Sequence, residues 1–198
     1  MTVDEAMAMD KGGWPQTGMV GEAWPEWCDI GVVEVRSGVL TANEFGVMSP
    51  DEGASVEVAP GSYRVQAKII SFDGNLGVCR ARVLPDPPAD VNAGRHLGNV
   101  GIDLAKIAVG DIADAARGLT DDDLLALARE VRVADHTMGN VVTLSLPSKT
   151  ISLACIATGF GDGSYPATSL VRDDETVGLE IEFIEDGYVV PESAHGSP

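Results

Sequence analysis

Apolar and polar residues alternate with a period of two through much of the chain, which is typical of β-strands that bury one face. In the clearest stretch, 63–70, every second residue falls on one apolar face: Tyr63, Val65, Ala67 and Ile69. Asp73-Gly74-Asn75 predicts a tight hairpin after it, with a returning strand over 76–84. The first half therefore predicts an antiparallel meander.

Similar patterns predict strands on both sides of this meander. Upstream, 30–35 and 39–42 predict a hairpin whose turn is Arg36-Ser37-Gly38, and 55–58 predicts a short strand that ends at Pro60-Gly61. Downstream, the predicted strands are 141–146, 150–158, 167–171 and 177–184, with a last hairpin at Asp186-Gly187 into 188–190.

Two helices are predicted between these β-rich halves. Residues 111–118 predict a short helix with Asp111 as its N-cap and Gly118 as its stop. Residues 120–131 predict a second helix, with Thr120 as its N-cap. The first turn of this helix is acidic, which suits the positive end of the helix dipole. A short buried strand is predicted over 100–104. The fold class is therefore α+β: a mostly antiparallel, sandwich-like β-sheet assembly with two short inserted helices.

The predicted organisation is an arm, one domain and a tail. Residues 1–27 form a Trp/Gly/Pro-rich arm packed on a single β-rich domain over 28–190, and 191–198 form a disordered tail. The arm carries Trp14, Trp24 and Trp27. Three indoles so close together are too apolar for a free segment, so they either pack onto the domain or form a ledge for a partner.

The net charge of −18 restricts the partners of this 198-residue chain. It argues against binding to a phosphate backbone and favours a basic protein partner through long-range electrostatic steering. Neither a membrane helix nor the basic start of a signal peptide is apparent, so we expect a cytoplasmic protein that binds neither nucleic acid nor membrane. Three widely spaced cysteines are expected to be small buried hydrophobes: Cys28, Cys79 and Cys155.

Candidate chemistry centres on the glycine-rich stretch 159–166, which would present Asp162 on a sharply turned loop. Together with Asp103 and Asp111, and with Glu182 as a further candidate, Asp162 could hold a divalent cation, the one cofactor these residues suggest. Alternatively, Asp103 and Asp162 could form an acid–base pair. The structural interpretation is that Asp162 only shapes a turn and Asp111 only caps a helix. No nucleophile elbow, zinc motif or phosphate loop is present.

Gly-Ser-Tyr occurs twice after a turn, at 61–63 and at 163–165. If both turns lay at one edge of the sheet, Tyr63 and Tyr165 could flank a shallow binding pocket. The alternative is that two tight turns use the same residues for the same structural reason.

Three segments in order resemble a bacterial family known as domain of unknown function 4241. They are 28–40, with Ser37-Gly38 between two strands; 56–65, with Pro60-Gly61 before a strand; and 159–166, followed by 178–183. In this resemblance 101–103 matches the first half of a recurring Val-Asp-x-Gly segment, with Leu104-Ala105 in place of its second half. Asp111 is the counterpart of a later Asp, and Glu182-Phe183 stands in place of Asp-Phe. The resemblance covers roughly residues 28–184 and implies a β-rich fold, but no established activity.

These observations favour a non-catalytic, acidic binding or accessory protein, of an immunity-like kind, with a basic partner. The alternative is a small hydrolase or metal-dependent enzyme with Asp103 and Asp162 at a loop-edge site. A second alternative is a structural subunit of a larger assembly, which would expose an apolar patch around Trp14, Trp24 and Trp27.

Overall fold

The computed structural model describes the chain except residues 1–4, 7, 11–14, 48, 50, 124, 127–138, 160 and 193–198. Trp14, most of the predicted tail and the second predicted helix beyond Ala126 therefore lie outside the described residues. None of the described helices is long and apolar enough to cross a membrane.

The described residues are mostly β-strand, with little helix. A short helix, α1, spans Ile112–Ala116 with Asp111 as its N-cap, and residues 121–123 and 125–126 are also helical. The strands are β1 (Glu22–Val35), β2 (Val39–Glu44), β3 (Ala54–Glu57), β4 (Gly61–Phe72), β5 (Asn75–Pro85), β6 (Asn92–Ile102), β7 (Lys106–Gly110), β8 (Gly139–Ser145), β9 (Thr150–Ala157), β10 (Gly163–Arg172) and β11 (Glu175–Glu182).

The strands form two antiparallel sheets, which confirms the predicted α+β, sandwich-like class. The six-stranded sheet has the order β1-β4-β5-β11-β10-β6, and the five-stranded sheet has the order β3-β2-β7-β9-β8. The main core joins the inward faces of both sheets, for example Val65 and Ile69 from one with Leu40 and Ile156 from the other. Burial of this apolar area is the main source of stability in such a sandwich.

A second, smaller apolar cluster covers the outer face of the five-stranded sheet. Ile112 and Ala115 of α1 pack there with Phe45 and Leu153. Because both faces of this sheet are covered, β7 is buried at every position. Its residues therefore lack the alternation of a half-exposed strand, and the sequence pattern did not predict it.

The predicted hairpin between 30–35 and 39–42 is wrong in its pairing. β1 pairs with β4 in the six-stranded sheet, whereas β2 pairs with β3 and β7 in the five-stranded sheet. Residues 36–38 therefore carry the chain from one sheet to the other. A glycine turn between two strands looks the same in sequence whether the strands pair or separate, and Gly38 has a φ of +79° here.

Three further predictions need correction. Trp24 and Trp27 belong to β1, which begins at Glu22, so the arm does not extend to residue 27. The strand predicted over 100–104 is the end of β6, whose exposed part, Asn92–His96, is polar and glycine-containing because it lies at a sheet edge. The last hairpin is replaced by an isolated bridge between Val20 and Val189.

Candidate functional site

One end of the sandwich, which we call the acidic end, collects carboxylates from five segments: 44–53, 73–74, 103–105, 158–162 and 185–187. These segments contain no Lys, Arg or His. Their carboxylate residues are Glu44, Asp51, Glu52, Asp73, Asp103, Asp162, Glu185 and Asp186, of which Glu44 is half-buried and the rest exposed. The antiparallel registers bring these segments together, since β2, β4, β6, β9 and β11 all end there.

Direct contacts fix the neighbouring segments of the acidic end to one another. Glu44 Oε1 accepts a hydrogen bond of 2.8 Å from the backbone N–H of Asp103. The Thr158 N–H donates to the Ala105 carbonyl at 3.0 Å. The last Cα pair of the β6–β10 ladder is Ile102 with Gly163, so Asp103 and Asp162 follow at the same end of that ladder. The structure thus places the two predicted carboxylates on the same end of the sheet.

Hydrogen bonds to one of its own carbonyl groups fix the shape of the glycine-rich loop before β10. The Gly161 carbonyl accepts hydrogen bonds from the hydroxyls of Thr158 at 2.6 Å and Tyr165 at 2.7 Å. Gly159 has a φ of +65°, and a Cβ on it would lie 2.7 Å from the Val78 carbonyl oxygen. Glycine is therefore required by both conformation and space, and the loop leaves Asp162 exposed to solvent.

Asp111 lies away from the other two predicted metal ligands. It follows β7, whereas Asp103 precedes that strand, so about 16 Å of extended chain separates them. The described residues contain no group of three His, Cys, Asp or Glu side chains placed to hold a metal ion. Asp103, Asp111 and Asp162 therefore do not form one ligand set.

Asp111 is 6% exposed, and its carboxylate instead holds two backbone segments together. It accepts hydrogen bonds from Arg36 N at 2.6 Å, Ser37 N at 2.7 Å, Ser37 Oγ at 2.6 Å and Asp114 N at 2.9 Å. Burial alone would raise the pKa of Asp111, but these hydrogen bonds outweigh it and lower the pKa below 3.8. The ionised carboxylate of Asp111 therefore joins the corner after β1 to the start of α1.

Tyr63 and Tyr165 share a geometry but not a location. Each hydroxyl donates to the carbonyl four residues earlier, Tyr63 to Ala59 at 2.6 Å and Tyr165 to Gly161 at 2.7 Å. This resembles the tyrosine corner of other β-sandwiches, in which the hydroxyl fixes a turn. Because β10 begins at the acidic end and β4 begins at the opposite end, the two side chains do not border one pocket.

The described tryptophans have different environments. Trp24 packs against the main core, while the Trp27 ring lies under the Arg82 guanidinium at 4.0 Å from its centroid, with Lys68 Nζ at 5.8 Å. Both side chains are half-buried. Trp24 and Trp27 therefore do not form the shared apolar ledge that the sequence suggested.

The outer face of the six-stranded sheet holds several basic residues in ion pairs. Arg64 pairs with Asp29 at 3.2 Å and Asp86 at 2.8 Å, and Arg80 pairs with Glu180 at 3.4 Å and Glu182 at 3.3 Å. Glu182, a further candidate ligand, is thus engaged by an arginine. Burial raises the pKa of Glu180 despite the neighbouring arginines. These pairs neutralise the charge of two of the 13 Lys and Arg residues locally.

A cleft at the end opposite the acidic end was not predicted. It has a volume of about 550 Å³ and is lined by Glu57, Tyr63, Asp86, Arg172 and Glu175 among others. The acidic run 173–175 is visible in sequence, but its meeting with Glu57 depends on how the two sheets pack. The sequence therefore contained some of the residues of this cleft but no signal for their proximity.

No protein-family model matches this chain, and no solved structure matches it. The resemblance to the family named above stays a prediction.

Proposed function

We propose that this protein is a non-catalytic accessory protein that binds a basic protein partner through the acidic end. The observation that carries the proposal is the set of eight carboxylates that five segments bring together there without any Lys, Arg or His in those segments. Clustered charge of one sign accelerates association with oppositely charged surfaces and selects against acidic ones.

Hydrogen bonds within this end support binding rather than mere solubility. The hydroxyls of Thr158 and Tyr165 converge on one carbonyl, and Glu44 is bonded to the backbone of Asp103. A surface that is fixed before binding loses less conformational entropy when a partner docks. The exposed Asp162 carboxylate therefore lies on a loop that these hydrogen bonds hold in place.

Capture from a bacterial lysate with matched variants tests the proposal. The acidic-end variant carries Asp51→Asn, Glu52→Gln, Asp103→Asn and Asp162→Asn, all at exposed positions. The control removes the same amount of charge from the other end with Asp90→Asn, Asp121→Asn, Asp122→Asn and Asp174→Asn, also exposed.

We expect wild type and control to retain the same basic protein at low salt, and the acidic-end variant to lose it. The purified partner should then bind wild type at a fixed stoichiometry, with a dissociation constant that rises with salt. Equal retention by the two variants would mean that only net charge matters, and would contradict the proposal. Absence of any retained protein would contradict it as well.

A second candidate function is a hydrolase or metal-dependent enzyme that uses Asp103 and Asp162. The register of β6 and β10 favours it, because Asp103 directly follows Ile102 and Asp162 directly precedes Gly163, the two residues of the last pair of that ladder. Two carboxylates with water and carbonyl oxygens could hold a hard cation.

Thermal unfolding with Ca²⁺, Mg²⁺, Mn²⁺ or Zn²⁺, each against a chelator, separates the two functions. A site filled at about 100 times its dissociation constant adds roughly 2.7 kcal/mol to the free energy of unfolding. A shift with one ion that Asp162→Asn abolishes would favour the enzyme. Equal melting in every condition would remove the metal-dependent candidate.

A further inference from the structure

The cleft at the end opposite the acidic end exists because two neighbouring strands separate. β5 and β11 pair from Arg80–Glu182 to Val83–Leu179 and no further, although β5 continues to Pro85 and β11 begins at Glu175. A Cβ on Gly178 would lie 2.0 Å from the Val83 carbonyl oxygen, so glycine is needed where the strands begin to diverge. Pro85 has no N–H with which to continue the ladder.

The separated strands form the floor of a cleft with apolar walls. The connection from β3 to β4 passes over one side, and its shape is fixed by the hydrogen bond from Tyr63 Oη to the Ala59 carbonyl. Val58, Pro60, Pro85 and Val177 contribute the apolar lining. The volume of about 550 Å³ is in the usual range for small-molecule sites.

Three of the four charged residues that line this cleft are acidic, and they come from three different parts of the fold. Glu57 ends β3, Asp86 follows β5, and Glu175 begins β11, with Arg172 across the hairpin from Glu175. Asp86 forms an ion pair with Arg64 at 2.8 Å. The side chains of Glu57 and Glu175 are exposed and make no hydrogen bond or ion pair with any described residue. Two carboxylates are thus free to receive a ligand.

We propose that this cleft binds an alkyl cation of the kind that an arginine or lysine side chain presents. The apolar walls suit a methylene stem, and Glu57 and Glu175 suit a guanidinium or ammonium head. Because the cleft lies at the end opposite the acidic end, this inference does not rest on the proposed function.

Agmatine, which is decarboxylated arginine and carries a guanidinium and an ammonium at the two ends of a four-carbon stem, is the probe that tests the site. The neutral comparison is n-butylurea, which keeps the four-carbon stem and a planar head group but has neither positive charge. Both are titrated into the ¹⁵N-labelled full chain at low salt, with the backbone amides of Tyr63, Thr176 and Val177 as reporters of the cleft. Glu57→Gln and Glu175→Gln remove one carboxylate each, and Glu52→Gln at the acidic end is the matched control.

We expect agmatine, and not n-butylurea, to shift the three reporter amides in a saturable way. Glu57→Gln and Glu175→Gln should each weaken binding about two- to fivefold, the effect of one exposed ion pair, while Glu52→Gln leaves it unchanged. Shifts that spread equally over the acidic end, or a dissociation constant that is unchanged in both cleft variants, would show that agmatine is only a counterion and would overturn the proposal. So would equal binding of n-butylurea.

This titration uses no protein partner, so its outcome is independent of the capture experiment. Loss of saturable agmatine binding with retained capture removes the cleft as a cation site and leaves the proposed function standing. Saturable agmatine binding without any captured protein supports the cleft and removes the basic partner.

Discussion

Two buried aspartates each join chain segments that are distant in sequence. Asp111 ties residues 36 and 37 to the start of α1. Asp123 accepts hydrogen bonds from Ser148 Oγ at 2.6 Å and Thr120 Oγ1 at 2.7 Å, and also from both backbone N–H groups of those residues. A carboxylate has enough acceptor sites for several donors at once, which neither a hydroxyl nor an amide oxygen can match.

Replacement of Asp111 by asparagine should therefore destabilise the protein. The amide has one acceptor oxygen in place of two and turns an N–H₂ group towards donors, so buried N–H groups lose their partner at a cost of about 1–3 kcal/mol. Urea unfolding at neutral pH measures this. Asp121→Asn, at an exposed position, is the control, and equal midpoints for the two variants would contradict the role assigned to Asp111.

The same two aspartates should make stability fall in acid. Hydrogen bonds lower the pKa of Asp111 below 3.8, and those from Ser148 and Thr120 lower the pKa of Asp123 below that value too. A lowered pKa contributes stability that is complete above the pKa of the unfolded chain, about 3.9, and is lost as pH falls through the folded-state pKa. The urea midpoint should therefore drop below about pH 4 in wild type and less steeply in Asp111→Asn. Parallel curves for the two proteins would refute this.

At the residue scale, the sequence predicted those roles of single residues that depend on their near neighbours in the chain. Asp111 as an N-cap follows from its place before α1, and the structure confirms it. Its bonds to Arg36 and Ser37 span 75 and 74 positions, so no local pattern could reveal them. Likewise, the free carboxylates of the cleft, Glu57 and Glu175, meet only after the sheets pack.

At the scale of elements, alternation predicted strands better than partners. The β4–β5 hairpin was predicted from Asp73-Gly74, and the structure confirms it. The β1–β2 pairing was wrong, because the choice between hairpin and crossover depends on which sheet can bury each strand. β7 was missed, because burial on both faces removes the alternation.

Gly178→Ala tests the element that opens the cleft. The added methyl group would lie 2.0 Å from backbone at Val83, which cannot move without disturbing β5, so we expect a loss of about 1–3 kcal/mol in the free energy of unfolding. Gly101→Ala is the control, because a Cβ there meets nothing within 4 Å. Equal midpoints in urea would show that β5 and β11 do not approach as closely as described.

At the scale of the whole molecule, the charge of −18 acts against folding. Carboxylates crowded at the acidic end repel one another, and salt screens that repulsion. The thermal midpoint should therefore rise with added NaCl, and rise less in the acidic-end variant than in wild type. A midpoint that falls with salt would mean that ion pairs, such as those of Arg64 and Arg80, outweigh the repulsion.

The order of strands in the six-stranded sheet also affects how the chain is made. β11, the last of the described strands, lies between β5 and β10, so the sheet stays split in two until residues 175–182 have left the ribosome. Until then β5 and β10 each present an unpaired edge, which is a template for wrong association between nascent chains. A chain that stops before residue 175 would keep those edges permanently, so we expect it to aggregate and not to form a smaller version of the fold.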